Sequence, residues 1–247
     1  MKTGSTAEVL AVVIPAFNEA ATVADIASRA LKQTDLVIVV DDGSTDGTAR
    51  QLIGLPVVFL KHNQNQGKAA SLQTGFDYAL RQGAKKIITL DADGQHQPEE
   101  IPRLLTASEL HPKKIIIAAR LKRQESAPKS RLFANRFANF WISWAAGYRI
   151  SDSQSGFRLY PAALLKKIRL NVSRNRGFVF ESEILIEAAR AGYRSYPVEI
   201  HAIYHPDRRA SHYRPVSDTA KIVRMVAGKL FSRGMYPQGL LAILKDK

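Results

Sequence analysis

Cysteine is absent from the 247 residues, which excludes disulfides, thiolate metal sites and cysteine nucleophiles. Long apolar runs are also missing, since none approaches the roughly 18 to 20 residues that a membrane-spanning helix needs. The first residues contain one lysine and a short apolar run, without a signal-peptide core or cleavage site. These absences fit a reducing compartment and predict a cytoplasmic protein that is not integral to a membrane.

Two common phosphate-binding motifs are missing as well. Asn63 stands where a P-loop has its first glycine, and Ala69 follows Lys68 where a P-loop has serine or threonine. A Gly-x-Gly-x-x-Gly fingerprint does not occur either. Lys68 is nevertheless expected at a helix N-terminus, where its charge and the helix amides could together neutralise a phosphate.

Acidic residues are scarce in the second half of the chain. Residues 1–119 hold 12 Lys and Arg against 13 Asp and Glu, whereas residues 120–247 hold 24 against 9. The excess behind the net charge of +14 therefore lies after residue 119. This asymmetry indicates either a solvated basic surface or an anionic partner: a phosphorylated substrate, an anionic membrane surface or a nucleic acid.

Short β-branched runs alternate with amphipathic stretches through the first half. Strands are predicted over 9–15, 36–40, 57–62, 85–91 and 114–120, and helices over 18–33, 44–53, 67–83 and 97–110. The alternation predicts an α/β fold with a Rossmann-like, mostly parallel central sheet and helices on both faces. Ligands bind such sheets at the carboxyl ends of the strands, and four polar loops follow the first four strands. We therefore predict one pocket at that edge.

Two of these loops carry paired carboxylates. Asp91 and Asp93 are two residues apart in a tight turn, so both can reach one hard cation, and Gln95 can add an oxygen or orient a bound water. Asp41 and Asp42 lack that spacing and are predicted to accept hydrogen bonds from a sugar hydroxyl or a base N–H. Asp42 is the favoured contact, although the sequence leaves the choice between the two open.

Four segments carry a resemblance to a known family: "VVIPAFNEA", "VVDDGSTDGT", "NQGKAASLQTGF" and "LDADGQHQPE". In this order and spacing they closely resemble family 2 glycosyltransferases of the GT-A fold. With "DSQSGFRLYP" added, the chain looks most like the polyprenyl-phosphate branch, which includes dolichol-phosphate mannosyltransferases and their bacterial relatives. The resemblance covers about residues 9–215.

The resemblance implies a nucleotide-diphosphate sugar donor and a Mg²⁺ or Mn²⁺ cofactor. Metal ligands are implied at Asp91, Asp93 and Gln95, with Asp93 nearest the donor sugar. Donor contacts also include Lys68 and the residues that match the family's base and ribose positions: Pro15, Ala16, Phe17, Glu19, Asp42 and, as a weaker candidate, Asp41.

The same resemblance implies an acceptor site in the second half. The lipid phosphate and the donor sugar are expected to meet at Arg120, Arg131 and the loop Gln154, Ser155 and Gly156. Arg208 and Ser211 are further candidates in a segment that only approximates the family's Arg-x-x-Gly-x-Ser-Lys. A single GT-A domain is expected over 1–247, with a nucleotide-sugar half (1–119), an acceptor half (120–215) and a basic amphipathic helix (216–247). That helix either lies on a membrane surface or packs on the core.

The implied reaction is an inverting, metal-dependent transfer of a mannose- or glucose-type hexose to a polyprenyl or dolichyl phosphate at the cytoplasmic membrane face. A lipid phosphate is already ionised at neutral pH, so Asp93, Arg120 and Arg131 are the predicted catalytic residues and no general base is needed. Glu181 and Glu183 are then expected to cap a helix or satisfy the core. A soluble or non-phosphate lipid acceptor, which would need a base, is the alternative. A nucleic-acid-binding module is a remote one, because helix 133–144 lacks interleaved exposed aromatic and basic residues, and no nucleic-acid partner is predicted.

Overall fold

A computed structural model describes residues 8–119, 129–170, 179–200 and 215–245, with the backbone alone described over 129–135 and 215–219. Seven strands and eight α-helices occur in these ranges. In chain order they are β1 Leu10–Ala16, α1 Val23–Leu31, β2 Leu36–Asp41, β3 Val58–Lys61, α2 Lys68–Arg81, β4 Lys86–Thr89, α3 Ile101–Leu110, β5 Lys114–Ala119, α4 Lys129–Ala146, β6 Arg158–Pro161, α5 Ala162–Lys167, α6 Val179–Arg190, β7 Arg194–Glu199, α7 Pro215–Phe231 and α8 Pro237–Lys245.

One sheet joins the seven strands in the order β3-β2-β1-β4-β6-β5-β7. All neighbours are parallel except β6, which runs antiparallel to both β4 and β5. The prediction of a mostly parallel sheet is confirmed, and β7 lies at one edge of it. The insertion of β6 between two strands that are consecutive in the chain was not predicted, because a four-residue strand carries no pattern that specifies its neighbours.

Helices cover both faces of the sheet, as predicted. Along β1, Ala11 and Val13 face a core built with α2, α4, α6 and α7, whereas Val12 and Ile14 face a second core built with α1 and α3. All four side chains are fully buried, which explains why β1 reads as a continuous apolar run. The two cores fix the sheet in place and leave its carboxyl edge for the polar loops.

The predicted helix over 44–53 is reduced to a 3₁₀ turn at Thr48–Leu52. Gly47 has a positive φ of 92°, which interrupts a helical path before it can begin. Asp46 accepts hydrogen bonds from the amide and hydroxyl of Thr48 and from the amide of Ala20. This segment therefore ties the second loop to the first instead of extending a helix.

The C-terminal segment is two helices where one was predicted. Positive φ angles at Gly234, Met235 and Tyr236 separate α7 from α8. On α7, Ile222 and Leu230 are buried in the larger core, whereas Val223 is 44% exposed and lies on a different face. No helix in the described ranges is both long and apolar enough to cross a membrane.

Candidate active site

The turn after β4 carries the predicted metal ligands. Asp91 and Asp93 are partly exposed, while Ala92 and Gly94 between and after them are buried. The Oδ1 atom of Asp93 accepts a hydrogen bond from the Gln95 amide at 2.9 Å, which holds the turn in shape. The carboxylates therefore stand at the carboxyl edge of the sheet, as the sequence predicted.

Lys68 lies against this turn from the first residue of α2. Its Nζ atom is 2.7 Å from Asp91 Oδ1 and 2.9 Å from Glu181 Oε1. Burial disfavours the charged ammonium, but the charges and hydrogen bonds of the two carboxylates outweigh it, so the pKa of Lys68 is raised. Lys68 therefore stays protonated across the neutral range and supplies a fixed positive charge at the turn.

Glu181 forms one charged cluster with Lys68 and Asp91, whereas the sequence predicted that it caps a helix or lies in the core. Its residue is 3% exposed and lies in the first turn of α6, where a negative charge is favourable. Its carboxylate lies 2.9 Å from the Lys68 ammonium, which is the counter-ion of this buried charge. Glu183 fits the expectation better, because it is buried and paired with Lys229 of α7.

Arg158 holds the backbone around this cluster by hydrogen bonds and was not predicted from the sequence. Its side chain is fully buried, and its guanidinium donates to the backbone carbonyls of Ser153, Ser155 and Glu181 at 2.7–2.9 Å. The available signal was an arginine inside the otherwise apolar run "GFRLY". Buried guanidinium groups need such acceptors, so Arg158 fixes the loop before β6 against the start of α6.

The predicted acceptor loop meets the Asp91–Gln95 turn at Gly156. A Cβ atom added to Gly156 would lie 2.5 Å from Asp91 Oδ2 and 3.0 Å from Lys68 Nζ. The Gly156 carbonyl accepts a hydrogen bond of 2.6 Å from the Thr89 hydroxyl, which anchors the loop to β4. A side chain at position 156 would therefore have to displace the Asp91 carboxylate and the Lys68 ammonium.

The neighbouring residues of that loop differ in accessibility. Ser155 is completely buried and donates its hydroxyl to the Ala118 carbonyl at 2.7 Å, so its side chain supports the loop instead of facing an acceptor. Gln154 is partly buried, and its amide nitrogen donates to the hydroxyl of Ser153. On α4, Asn139 accepts from Ser153, which fixes the loop from the other side.

The two acids after β2 have different environments. Asp42 accepts hydrogen bonds from the amides of Gln66 and Gly67 and is 2.7 Å from His62 Nδ1. Asp41 accepts from the Ser44 amide through Oδ1, whereas its Oδ2 is buried without a hydrogen-bond partner among the described residues. Asp42 is thus committed to the loop before Lys68, and Asp41 keeps an acceptor oxygen at this edge. A nucleotide contact remains a prediction for both.

The loop after β1 closes the same edge of the sheet. Pro15 and Ala16 end β1 and pair with Val40 and Asp41 of β2. Phe17 follows at a partly buried position, and the Glu19 amide donates to the Thr48 hydroxyl at 2.8 Å. The structure therefore brings the predicted donor-binding residues of the first two loops together.

Four predicted residues are described incompletely or not at all. Arg120, Arg208 and Ser211 lie outside the described residues. Arg131 lies in the first turns of α4, where the backbone alone is described. Their roles stay predictions.

The donor set at the turn fits a hard divalent cation. Asp91 and Asp93 supply carboxylate oxygens, Gln95 is two residues further on, and the Lys68 ammonium already occupies a cation position at Asp91. Within the described ranges, His, Asp and Glu side chains form no group of three or more that could hold a metal. Two carboxylates completed by substrate oxygens are typical of Mg²⁺ sites.

The family assignment follows from the residues that build this edge. Residues 11–169, which contain the four loops, α2, the Asp91–Gln95 turn and the Gly156 loop, match the model of glycosyl transferase family 2. The chain belongs to this family. The match confirms the resemblance noted from the four sequence segments.

Curated relatives of this glycosyltransferase cover most of its length. The polyprenol monophosphomannose synthase of Mycolicibacterium smegmatis is 32% identical over 201 residues, 76% of this chain and 75% of that protein. The undecaprenyl-phosphate mannosyltransferase of Micrococcus luteus is 30% identical over 204 residues, 76% of this chain and 81% of its own. The UDP-N-acetylglucosamine–dolichyl-phosphate N-acetylglucosaminyltransferase of Methanococcus voltae is 29% identical over 213 residues, which are 78% of this chain and 84% of that protein.

Solved structures share the fold of this glycosyltransferase. The mannosyl-3-phosphoglycerate synthase of Rubrobacter xylanophilus superposes with a TM-score of 0.69 at 20% identity, over 92% of this chain and 75% of that one. The glucosyl-3-phosphoglycerate synthase of Mycobacterium tuberculosis has a TM-score of 0.60 at 20% identity, over 92% of this chain and 80% of that one. Its structure was solved with Mn²⁺, UDP and glucosyl-3-phosphoglycerate. These neighbours confirm the GT-A fold.

Proposed function

We propose that the protein transfers a hexose from a nucleotide-diphosphate sugar to a polyprenyl or dolichyl phosphate, with inversion at the anomeric carbon. The observation that carries the proposal is the contact among Lys68, Asp91 and the Gly156 loop, which joins a cationic diphosphate site to the predicted acceptor site. The Mycolicibacterium, Micrococcus and Methanococcus relatives are named for polyprenol, undecaprenyl and dolichyl phosphate substrates, which supports a polyprenyl-phosphate acceptor.

The proposed cofactor is Mg²⁺ or Mn²⁺ held by Asp91 and Asp93, with Gln95 as a third group. A divalent cation at this position supplies positive charge for the leaving diphosphate. The complexes of the Mycobacterium neighbour with Mn²⁺ or Mg²⁺ and UDP support this choice. Lys68 adds a fixed charge to the same diphosphate from the N-terminus of α2, where backbone amides also face an anion.

The reaction needs orientation and charge more than a base. The bond between the anomeric carbon and the donor diphosphate breaks, and the nucleoside diphosphate leaves with the electron pair. An oxygen of the lipid phosphate attacks from the opposite face and forms the new bond. That oxygen is already ionised, so we assign Arg120 and Arg131 to orient it. The edge formed by Pro15, Ala16, Phe17, Glu19, Asp41 and Asp42 is proposed to bind the nucleoside, with Asp41 Oδ2 as an available acceptor.

The direct test is transfer of radiolabelled sugar to a butanol-soluble lipid. The chain is incubated with GDP-mannose, UDP-glucose or UDP-N-acetylglucosamine, a polyprenyl phosphate, and either Mn²⁺ or EDTA. We expect a labelled lipid phosphate with one of the donors and none in EDTA. Label in a water-soluble product alone, or no transfer with any donor, would refute the proposal.

We also propose that the protein acts as a peripheral protein on the cytoplasmic face of an anionic membrane. Support comes from α4, where Phe137 and Phe140 are each 42% exposed and pack around Trp141, with ring centroids 6.0 and 5.7 Å away. The adjacent helix α8, tied to α4 by the bond from Trp144 to the Tyr236 carbonyl, exposes Leu241 and Leu244. Exposed basic side chains accompany these apolar ones: Arg136, Arg149, Lys221, Arg224, Arg233 and Lys245.

Vesicle sedimentation tests this surface. The chain is expected to sediment with phosphatidylglycerol-containing vesicles more than with pure phosphatidylcholine, and less at high salt, because both charge and apolar contact contribute. The variant F137S/F140S should lose most of this binding. A matched control, I53S/L110S, removes two apolar side chains that are 81% and 73% exposed elsewhere and should bind as the wild type does. Equal binding by both variants would contradict the assignment.

Transfer to a hydroxyl acceptor is the second candidate. Two observations favour it: the buried carboxylate of Glu181 lies beside Lys68, and the solved neighbours are a glucosyl- and a mannosyl-3-phosphoglycerate synthase. A hydroxyl acceptor needs a general base, so Glu181→Gln would then abolish turnover and Arg131→Ala would leave it unchanged. Loss of turnover in Arg131→Ala supports the lipid phosphate instead.

A further inference from the structure

Lys68 has two carboxylate partners with different access to the site. Asp91 stands in the turn with its side chain 23% exposed, whereas the side chain of Glu181 is 4% exposed. The ammonium lies 2.7 Å from the first and 2.9 Å from the second. Asp91 can therefore meet a ligand in the site, whereas Glu181 faces Lys68 and the protein interior.

Asp91 Oδ1 cannot bind a divalent cation while its contact with the Lys68 ammonium stays as it is. A hard cation would approach that oxygen to about 2.0–2.2 Å and repel the ammonium beside it. The Gly156 backbone closes one further side, since an added Cβ atom would lie 2.5 Å from the other Asp91 oxygen. Cation binding at Asp91 must therefore displace Lys68 and not the carboxylate.

Glu181 decides where the displaced ammonium can go. Its carboxylate is buried, and leaving a buried charge without its counter-ion is strongly unfavourable. Arg158 does not neutralise it by a side-chain contact, because the guanidinium donates to the backbone carbonyl of Glu181 and to those of Ser153 and Ser155. Lys68 is thus retained at Glu181 when its contact with Asp91 is broken.

We infer that Glu181 is a positioning residue that retains Lys68 beside the site while Lys68 exchanges Asp91 for the donor diphosphate. This inference rests on the proposed function. In the ligand-free protein Lys68 competes with the divalent cation for Asp91 and keeps the carboxylate in its binding orientation. After exchange, the same ammonium remains anchored at Glu181 and faces the diphosphate.

The test compares Mn²⁺ affinity in two charge-neutral double variants, measured by the electron paramagnetic resonance signal of free Mn²⁺ without nucleotide. K68M/E181Q removes one positive and one negative charge, so the net charge of the cluster is unchanged while the competitor at Asp91 is lost. We expect the Kd for Mn²⁺ to fall about tenfold, because the cation no longer has to break a charge-assisted contact at Asp91. K86M/E109Q also removes one positive and one negative charge, from residues 4.0 Å apart at the opposite end of β4, and should leave the Kd unchanged.

Further measurements separate this role from simpler ones. Asp91→Asn should abolish the tight Mn²⁺ site, and binding of UDP or GDP in EDTA should weaken about tenfold in K68M/E181Q because the anchored ammonium is missing. Thermal unfolding in EDTA checks that each variant folds. If the double variant does not fold, Lys68→Gln takes its place, because the amide can still bond both carboxylates, and it should also bind Mn²⁺ more tightly.

Two outcomes would overturn the inference. One is an unchanged or weaker Mn²⁺ affinity in the folded variant that lacks Lys68. The other is loss of turnover in Glu181→Gln with unchanged affinity for Mn²⁺ and for UDP or GDP, which would make Glu181 a general base. Failure of the wild type to transfer sugar from any donor would refute the proposed function instead and would leave the Mn²⁺ comparison interpretable.

Discussion

Replacing Gly156 with alanine tests the geometry of the site with a single methyl group. The new Cβ atom would lie 2.5 Å from Asp91 Oδ2. Ordinary contact begins at 3.4 Å, so the oxygen must move by about 0.9 Å, the difference between the two distances. The movement also disturbs the ion pair with Lys68, because the other oxygen of the carboxylate lies 2.7 Å from its ammonium.

A displacement of this size is large for a catalytic group. Misplacing reacting groups by about 1 Å can cost on the order of 100-fold in rate. We therefore expect the kcat/KM of Gly156→Ala to fall about 100-fold, which corresponds to about 2.7 kcal/mol of transition-state stabilisation. Mn²⁺ affinity should fall as well, because Asp91 is a proposed ligand, whereas the fold should be retained.

The assay combines sugar transfer, Mn²⁺ titration and thermal unfolding. Gly228→Ala in α7 is the matched control, because an added Cβ atom meets no described atom within 4 Å there and alanine favours the helix. The control should keep wild-type activity and unfold at the same or a slightly higher temperature. Wild-type kcat/KM and Mn²⁺ affinity in Gly156→Ala would refute the close contact among loop, carboxylate and ammonium.

Three further predictions concern single residues. Asp93→Asn should abolish sugar transfer without lowering Tm, and residual turnover near the wild-type rate would exclude the metal-dependent mechanism. Asp42→Asn should leave one amide of the following loop without its acceptor and destabilise the protein by about 2 kcal/mol. Calorimetry should then show a Tm lowered by about 4–8 °C. The control Asp77→Asn, on the exposed side of α2, should leave the Tm unchanged. Ser155→Ala should lower the stability by about 1 kcal/mol, because its buried hydrogen bond to the Ala118 carbonyl is lost. The KM for the lipid acceptor should stay unchanged. A raised KM would show that the side chain contacts the acceptor.

The carboxyl-edge pocket could be predicted because it depends on local patterns. Buried β-branched runs specified β1, β2 and β5, and each polar loop follows its strand directly in the chain. Parallel strands bring such loops to one edge whatever their exact lengths. The spacing of Asp91 and Asp93 is also a local pattern, so the sequence was enough to specify a turn with two accessible carboxylates.

Prediction failed where the outcome depended on distant partners. The segment 44–53 contains good capping residues, but Asp46 bonds Ala20 of the preceding loop, and a 3₁₀ turn results. The C-terminal segment has one amphipathic pattern, but the core accepts Ile222 and Leu230 and leaves Val223 exposed. In both segments, a contact made across the fold outweighed the local propensity.

The sequence by itself determined the family, the mostly parallel sheet and the four loops that form the candidate site. Only the tertiary structure decided how the charges in that site are paired. Lys68, Asp91 and Glu181 come from α2, the turn after β4 and α6, so no spacing along the chain brings them together. Whether a buried carboxylate caps a helix, acts as a base or holds a lysine depends on which charge lies within a few ångströms, and packing alone sets that distance.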